Sequence, residues 1–395
     1  MRLILSIAIS IYCFVSNAQV WNQLADFPGT ARDDASTFTL NNHVYCGLGL
    51  DASFSCTADF KIFDLTSESW SNGVSLPSGE ERQYANGFSY QGFGYIFGGI
   101  NCSADYLSDF WKFNPTTNAW SSLPDLPTTG RAGAVRIVIA DTVYIVGGKT
   151  DGGLISSEVW GFDLTNEQWS QKANLPIDGI WRGIGFSWNN YGVIGLGKLN
   201  DGTLSTGCYQ YFPLTDSWQF IPQLNLVPST YSMYAQIGKD AFVYGGMLTD
   251  GSYSNQFQRI DLETWTITPL TNFPADARRG GIGFTSNDAF YVSTGVSALA
   301  RLNETWKATS VLGVDKESMM DLICIYPNPL KDEMMIQSEV PIQTLEIYSI
   351  SGNLIEQLTL NSMFIELPLQ LENGYYIVKL KSETSEVVER ICVSH

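Results

Sequence analysis

The sequence predicts an all-β protein in which one four-stranded unit is repeated six times around a closed ring, followed by a small β-sandwich. Three observations predict it. Tryptophans fall at positions 21, 70, 120, 169, 218 and 265, at spacings of 49, 50, 49, 49 and 47. Glycines fall at 49, 99, 148, 197, 246 and 295, at spacings of 50, 49, 49, 49 and 49. Aromatics make up 13% of the chain, with 36 glycines and 15 prolines, a composition suited to short strands and tight turns.

Two independent residue types keeping one period near fifty mark a repeat architecture. In the unit that opens at Arg131, residues 131–139 read as a first strand, turning at Ala140-Asp141. Residues 142–146 read as a second strand ending at Gly147-Gly148, and a third lies around residues 158–162. Asp163-Leu164-Thr165-Asn166 turns the chain, and Trp169 opens a fourth strand that stops before Pro176. Such a sheet cannot bury both faces alone, whereas radial stacking gives each copy a neighbour on either side. The tryptophan of each copy is expected to pack between adjacent copies rather than to stack on a surface ligand. The glycine permits a close backbone approach or a positive φ where the second strand ends.

The doublets Gly98-Gly99, Gly147-Gly148 and Gly245-Gly246, the aromatic just before them and the later tryptophan resemble kelch repeats over about residues 20–310. The resemblance implies a six-bladed kelch-type β-propeller. Gly47-Leu48-Gly49, Gly195-Leu196-Gly197 and Thr294-Gly295 depart from the doublet while keeping the period. The sixth unit, from Arg278, lacks a final tryptophan strand, and residues 20–28 at the other end of the chain are expected to supply it, leaving few free edges.

The first nineteen residues carry Arg2, an apolar run from Leu3 to Val15 and small residues at Ser16-Asn17-Ala18, the pattern of a signal peptide over 1–18. No other segment is long and apolar enough for a transmembrane helix, so none is expected in the mature chain. A formal charge of −18 opposes nucleic acid and anionic membrane as partners. No cysteine pair has CxxC spacing and the only histidines are His43 and His395, so no metal and no cofactor are expected.

The period stops after Ser310. A linker over 311–322 leads to residues 323–395, where strands and turns alternate and a seven-strand sandwich is expected. Tyr-Pro-Asn-Pro at 326–329, the stretch 347–355, the stretch 373–380 and the closing Arg-Ile-Cys-Val resemble the type A C-terminal sorting domain of type IX secretion. The resemblance implies the type IX machinery as a partner, a Gram-negative bacterium of the Bacteroidetes group, passage through the periplasm, and a secreted or cell-surface protein. Cys324 and Cys392 lie in the first and last strands, and a disulfide between them is expected only if those strands are neighbours.

In a four-stranded blade, the loop into the first strand and the loop after the second emerge on one face. Arg32, Arg82, Arg131 and Arg278 each stand 17 residues before a repeat glycine, and Arg182 and Arg279 sit near that position. Asp51, Asp151, Asp201 and Asp250 occupy the second set of loops, and Tyr84, Trp181 and Tyr231 add aromatics. Together they predict a channel mouth suited to hydroxyl- and carboxylate-bearing ligands. Taken singly, the repeated arginines read first as ties between blades and the Asp-Gly pairs as turns. Arg182 and Trp181 break the repeat and are the stronger candidates. The function expected is a binding module for glycan or protein. The alternative is a metal-independent sugar mutarotase or epimerase, because some bacterial six-bladed kelch proteins resemble sialic-acid mutarotases. Copper chemistry of the galactose-oxidase kind is excluded by the lack of histidine ligands.

Overall fold

The computed structural model describes residues 20–309, 311–312, 323–326, 333–350, 352–368, 371–382 and 386–394. The expected signal peptide over 1–18, most of the expected linker over 311–322 and residues 327–329 lie outside the described residues. The chain divides into two compact units, residues 1–313 and 314–395.

The first unit contains six four-stranded antiparallel sheets among the described residues. Blade 3 consists of Val135–Ile139, Thr142–Val146, Val159–Asp163 and Gln168–Lys172, close to the strands read from the sequence. Blade 6 takes three strands from Ile282–Ser286, Ala289–Ser293 and Thr305–Ala308, and its fourth is Trp21–Gln23. The pairing is antiparallel, with Trp21 opposite Ala308 and Gln23 opposite Trp306.

The periodic tryptophans work between blades. Trp120 Nε1 donates to the Val74 carbonyl of the preceding blade at 3.1 Å, Trp169 to Pro124 at 2.8 Å, and Trp218 to Ala173 at 2.9 Å. Trp70 reaches back to Ala25 at 3.0 Å, and Trp21 crosses the closure to Thr271 at 2.9 Å. A large ring in a polar turn is thus an inter-blade wedge with its one donor satisfied. Trp265, the residue at the odd spacing of 47, departs from the pattern. Its φ is +62°, and it lies in the turn before the strand Ile267–Pro269.

The periodic glycines explain themselves in the same way. Each donates its N–H to the next blade: Gly49 to Arg82, Gly99 to Arg131, Gly148 to Ile180, Gly197 to Ser229, Gly246 to Arg278 and Gly295 to Arg32, at 2.7–3.0 Å. The last bond closes the circle. All six have positive φ, and a Cβ on Gly49 would lie 2.5 Å from the Asp33 carbonyl oxygen.

The second unit is a small all-β domain whose five described strands belong to one antiparallel sheet: Ile323–Tyr326, Glu333–Ser349, Leu354–Pro368, Gly374–Lys381 and Glu386–Val393. Seven were expected. Two of the five run for 17 and 15 residues, continuing through register shifts near Gln337–Ile342 instead of breaking. Met334, Ile336, Leu345, Ile347, Val378, Leu380 and Ile391 fill its core. Ile323–Tyr326 and Glu386–Val393 stand at opposite ends of the strand order, so they are not hydrogen-bonded neighbours. The Cys324 side chain lies outside the described residues. Among the described residues a disulfide joins Cys56 to Cys102, between blades 1 and 2.

Candidate functional site

Where the sequence offered one set of arginines, the structure separates two. Arg32, Arg82, Arg131 and Arg278 are buried inside their own blades, at 1%, 0%, 1% and 0% exposure. In each, Nη1 donates to the carbonyl 16 residues ahead, of Leu48, Gly98, Gly147 and Thr294 respectively. Each also pairs with a carboxylate 26 or 27 residues ahead: Asp59, Asp109, Glu158 and Glu304. In three blades a tryptophan two residues further on, Trp111, Trp160 or Trp306, donates to that same carboxylate. Burial pushes Glu158 and Glu304 up, but the bonds from tryptophan and arginine outweigh it and hold both below the usual carboxylate range. Expected as ligand contacts, these four arginines instead lie buried and tie strands within their own blades. The two blades without the arginine, at Ile180 and Ser229, also lack the carboxylate, having Gly207 and Gln256 in its place.

The second set stands two residues beyond the arginine position. Asp34, Tyr84, Gly133, Arg182, Tyr231 and Gly280 all have positive φ, between +58° and +63°. Their backbones form a closed cycle. Each N–H donates to the carbonyl of its counterpart in the preceding blade: Tyr84 to Asp34 at 3.1 Å, Gly133 to Tyr84 at 2.8 Å and Arg182 to Gly133 at 2.8 Å. Tyr231 to Arg182 at 3.1 Å, Gly280 to Tyr231 at 2.9 Å and Asp34 to Gly280 at 2.6 Å complete it. Non-glycine residues are uncommon at such φ, and strain of this kind persists where the surroundings over-determine it.

The side chains at this ring close the axis of the propeller. Arg182 reaches across to Asp34, 148 residues away in sequence, and its Nη2 donates to Oδ1. Its guanidinium lies 4.7 Å from the Tyr84 ring centre and 4.5 Å from that of Tyr231. The two glycines make the span possible. A Cβ on Gly133 would lie 2.7 Å from Arg182 Cδ, and one on Gly280 would lie 2.7 Å from Asp34 Oδ1.

One residue earlier in each blade comes a further ring, which includes Asp33, Gln83, Trp181 and Arg279. Asp33 accepts from Arg301 Nε at 2.6 Å, and Arg279 Nη1 lies 3.5 Å from its other oxygen. Trp181 packs edge-on to Tyr84 and Tyr231, at 5.8 and 5.3 Å between centroids, with Lys149 Nζ 5.4 Å from its ring. Arg301 covers Phe54 at 4.4 Å. Trp181 Nε1, Gln83 Oε1 and Arg182 Nε are buried atoms with no hydrogen-bond partner. Burial pushes the Asp34 carboxyl up to about 6 against the pull of Arg182, with Asp33 beside it adding to the rise.

The structure therefore brings together Trp181, Arg182, Tyr231, Arg279 and Tyr84 of the expected mouth, and adds Asp33, Asp34, Arg301 and Gln83. Asp51, Asp201 and Asp250 are turn residues whose Oδ1 accepts from backbone N–H groups two residues on.

Residues 95–127 match the Kelch motif, and residues 324–394 match the Secretion system C-terminal sorting domain. The chain is a kelch β-propeller carrying a type IX secretion sorting domain. No curated protein matches it. A solved structure titled "Structure of YjhT" is 19% identical, with a TM-score of 0.59 over 72% of this chain and 95% of that one. At that identity the likeness to YjhT shows the fold alone. The sorting domain marks the protein for secretion or export to the cell surface. No helix among the described residues is long and apolar enough to cross a membrane.

Proposed function

We propose that the mature propeller binds an acidic glycan at the axial mouth formed by Trp181, Arg182, Tyr231, Arg279 and Arg301. One observation carries this reading: three guanidinium groups converge on only two carboxylates, Asp33 and Asp34, in a chain of net charge −18. The surplus cation offers a fork for a sugar carboxylate, the Trp181 face a platform for the pyranose, and the unpartnered Trp181 Nε1 and Gln83 Oε1 a donor and an acceptor for hydroxyls. In this reading residues 1–18 direct the chain to the periplasm of a Gram-negative bacterium, and residues 323–395 engage the type IX machinery for passage outward.

A second reading, a metal-independent mutarotase or epimerase, is favoured by Asp34, whose carboxyl sits near 6 beside Tyr84 and so is poised to exchange a proton near neutral pH. A panel of neutral and acidic sugars, with an anomer-exchange assay on each binder, tests both. Binding confined to acidic sugars and weakened at least tenfold by Arg279→Gln supports the site. Equal binding of neutral sugars, or no effect of Arg279→Gln, refutes it. Exchange that follows the Asp34 titration adds the enzymatic reading, and binding without exchange removes it.

A further inference from the structure

Beneath the ring that closes the axis, the channel continues between the first strands of the blades as two cavities of about 100 and 240 Å³. Arg136, on the first strand of blade 3, lines both. Its Nε donates to the Gly87 carbonyl of blade 2, and its guanidinium carbon lies 5.9 Å from the Tyr234 ring centre. It makes no ion pair among the described residues, and no carboxylate lines either cavity. Asn86, only 8% exposed, lines the smaller cavity with Nδ2 buried and unpartnered. The neighbouring hydroxyls are already committed: Ser36 Oγ donates to Ala85 and Ser232 Oγ to Gly245.

A guanidinium held by Nε alone and a buried amide N–H₂ with nothing to donate to therefore share one small, acid-free chamber. Unsatisfied buried donors are costly, and a cation kept away from carboxylates in so acidic a protein needs a counter-charge. The chamber is of a size for about three waters, which also suits one small oxyanion group.

We propose that the channel chamber at Arg136 and Asn86 binds a small oxyanion, either inorganic or the carboxylate of a small organic acid. The site adjoins the Arg182–Asp34 closure, whose Tyr84, Arg182 and Tyr231 also line the smaller cavity, and it uses neither Arg279 nor Arg301, the guanidinium groups proposed to hold the glycan. Two nitrogens of the Arg136 fork hold the anion and Asn86 Nδ2 supplies a third donor.

Calorimetric titration of the full mature chain with phosphate and, separately, with acetate tests this, each against chloride at matched ionic strength. One saturable site for phosphate identifies an inorganic oxyanion, and one for acetate identifies a carboxylate. Arg136→Gln is expected to weaken it at least tenfold. Asn86→Asp keeps the side chain's size and offers Arg136 an internal carboxylate, so it too is expected to abolish binding while the protein stays folded. No site for either anion in the wild type overturns the proposal. So does binding that survives both substitutions, or that is lost in Arg279→Gln and retained in Asn86→Asp.

Discussion

Replacing Arg182 by Met removes the cation that spans the axis. The side chain is 14% exposed and that of its partner Asp34 2%, so both charges are largely withdrawn from water. Breaking a buried pair by removing one member costs roughly 3–5 kcal/mol, because the other charge is left uncompensated. The magnitude depends on pH in a defined direction. The Asp34 carboxyl rises from an ordinary 3.8 to about 6 on folding, so the native state binds its proton more readily than the unfolded chain between those values. Its contribution to stability is therefore fully present at low pH and is lost as pH rises towards 6. At pH 8 the wild-type carboxylate is charged and paired, and Arg182→Met is expected to lose the full 3–5 kcal/mol. At pH 5 Asp34 is mostly protonated, and the loss shrinks to the stacking of Arg182 on Tyr84 and Tyr231, about 1–2 kcal/mol. Urea denaturation of both proteins at the two pH values measures the difference. Arg182→Met combined with Asp34→Asn is expected to recover part of the loss at pH 8. An equal loss at both pH values, or a larger one at pH 5, refutes the Asp34–Arg182 linkage.

Arg131→Gln, inside blade 3, leaves the Gly147 carbonyl without its donor while Glu158, 38% exposed, stays hydrated, so it is expected to cost about 1–3 kcal/mol and to speed amide hydrogen exchange most in that blade's strands. Because Glu158 and Glu304 are held below the ordinary 4.5, their ties are fully present above it and released as pH falls below it, opposite in sign to Asp34. Acid titration of Glu158→Gln should show a smaller loss of stability below that value than the wild type. Gly148→Ala, at φ +93° with Ala134 Cβ 3.0 Å from the added carbon, is expected to destabilise by about 1–3 kcal/mol in thermal denaturation. Reducing Cys56–Cys102, which closes a sequence separation of 46, should lower stability by about 4 kcal/mol on the loop-entropy relation, read by denaturation with and without reductant.

Much of the architecture was legible because it repeats. Tryptophan and glycine keep their period since each copy needs the same wedge and the same close approach to its neighbour. Trp265 slipped from its strand where the spacing fell to 47, a visible warning. The arginine ties were half legible. Counting forward from Arg32, Arg82, Arg131 and Arg278 finds a carboxylate each time, and Ile180 and Ser229 lack both members. That pairing within one chain distinguishes an internal tie from a ligand contact. The site itself was less legible because it consists of what the repeat leaves free. Aligning the copies at Arg32 places Asp34, Tyr84, Gly133, Arg182, Tyr231 and Gly280 in one column, unlike one another and therefore suspect. Nothing in the spacing says that this column turns inward. That follows from the left-handed backbone and the closed cycle of hydrogen bonds, which only the folded ring displays. Arg301 was hidden for another reason, since it reaches Asp33 from the far end of the propeller sequence. Arg136, an ordinary strand residue by pattern, is noticeable only once no acid is found beside it.

The most direct measurement is a crystal structure of the mature chain with an acidic monosaccharide bound. Its carboxylate should lie against the guanidinium groups of Arg279 and Arg301, with the sugar ring over Trp181 above the Asp34–Arg182 span. A sugar bound on the outer edge of a blade or at the opposite end of the channel, with the mouth holding only solvent, would contradict this assignment.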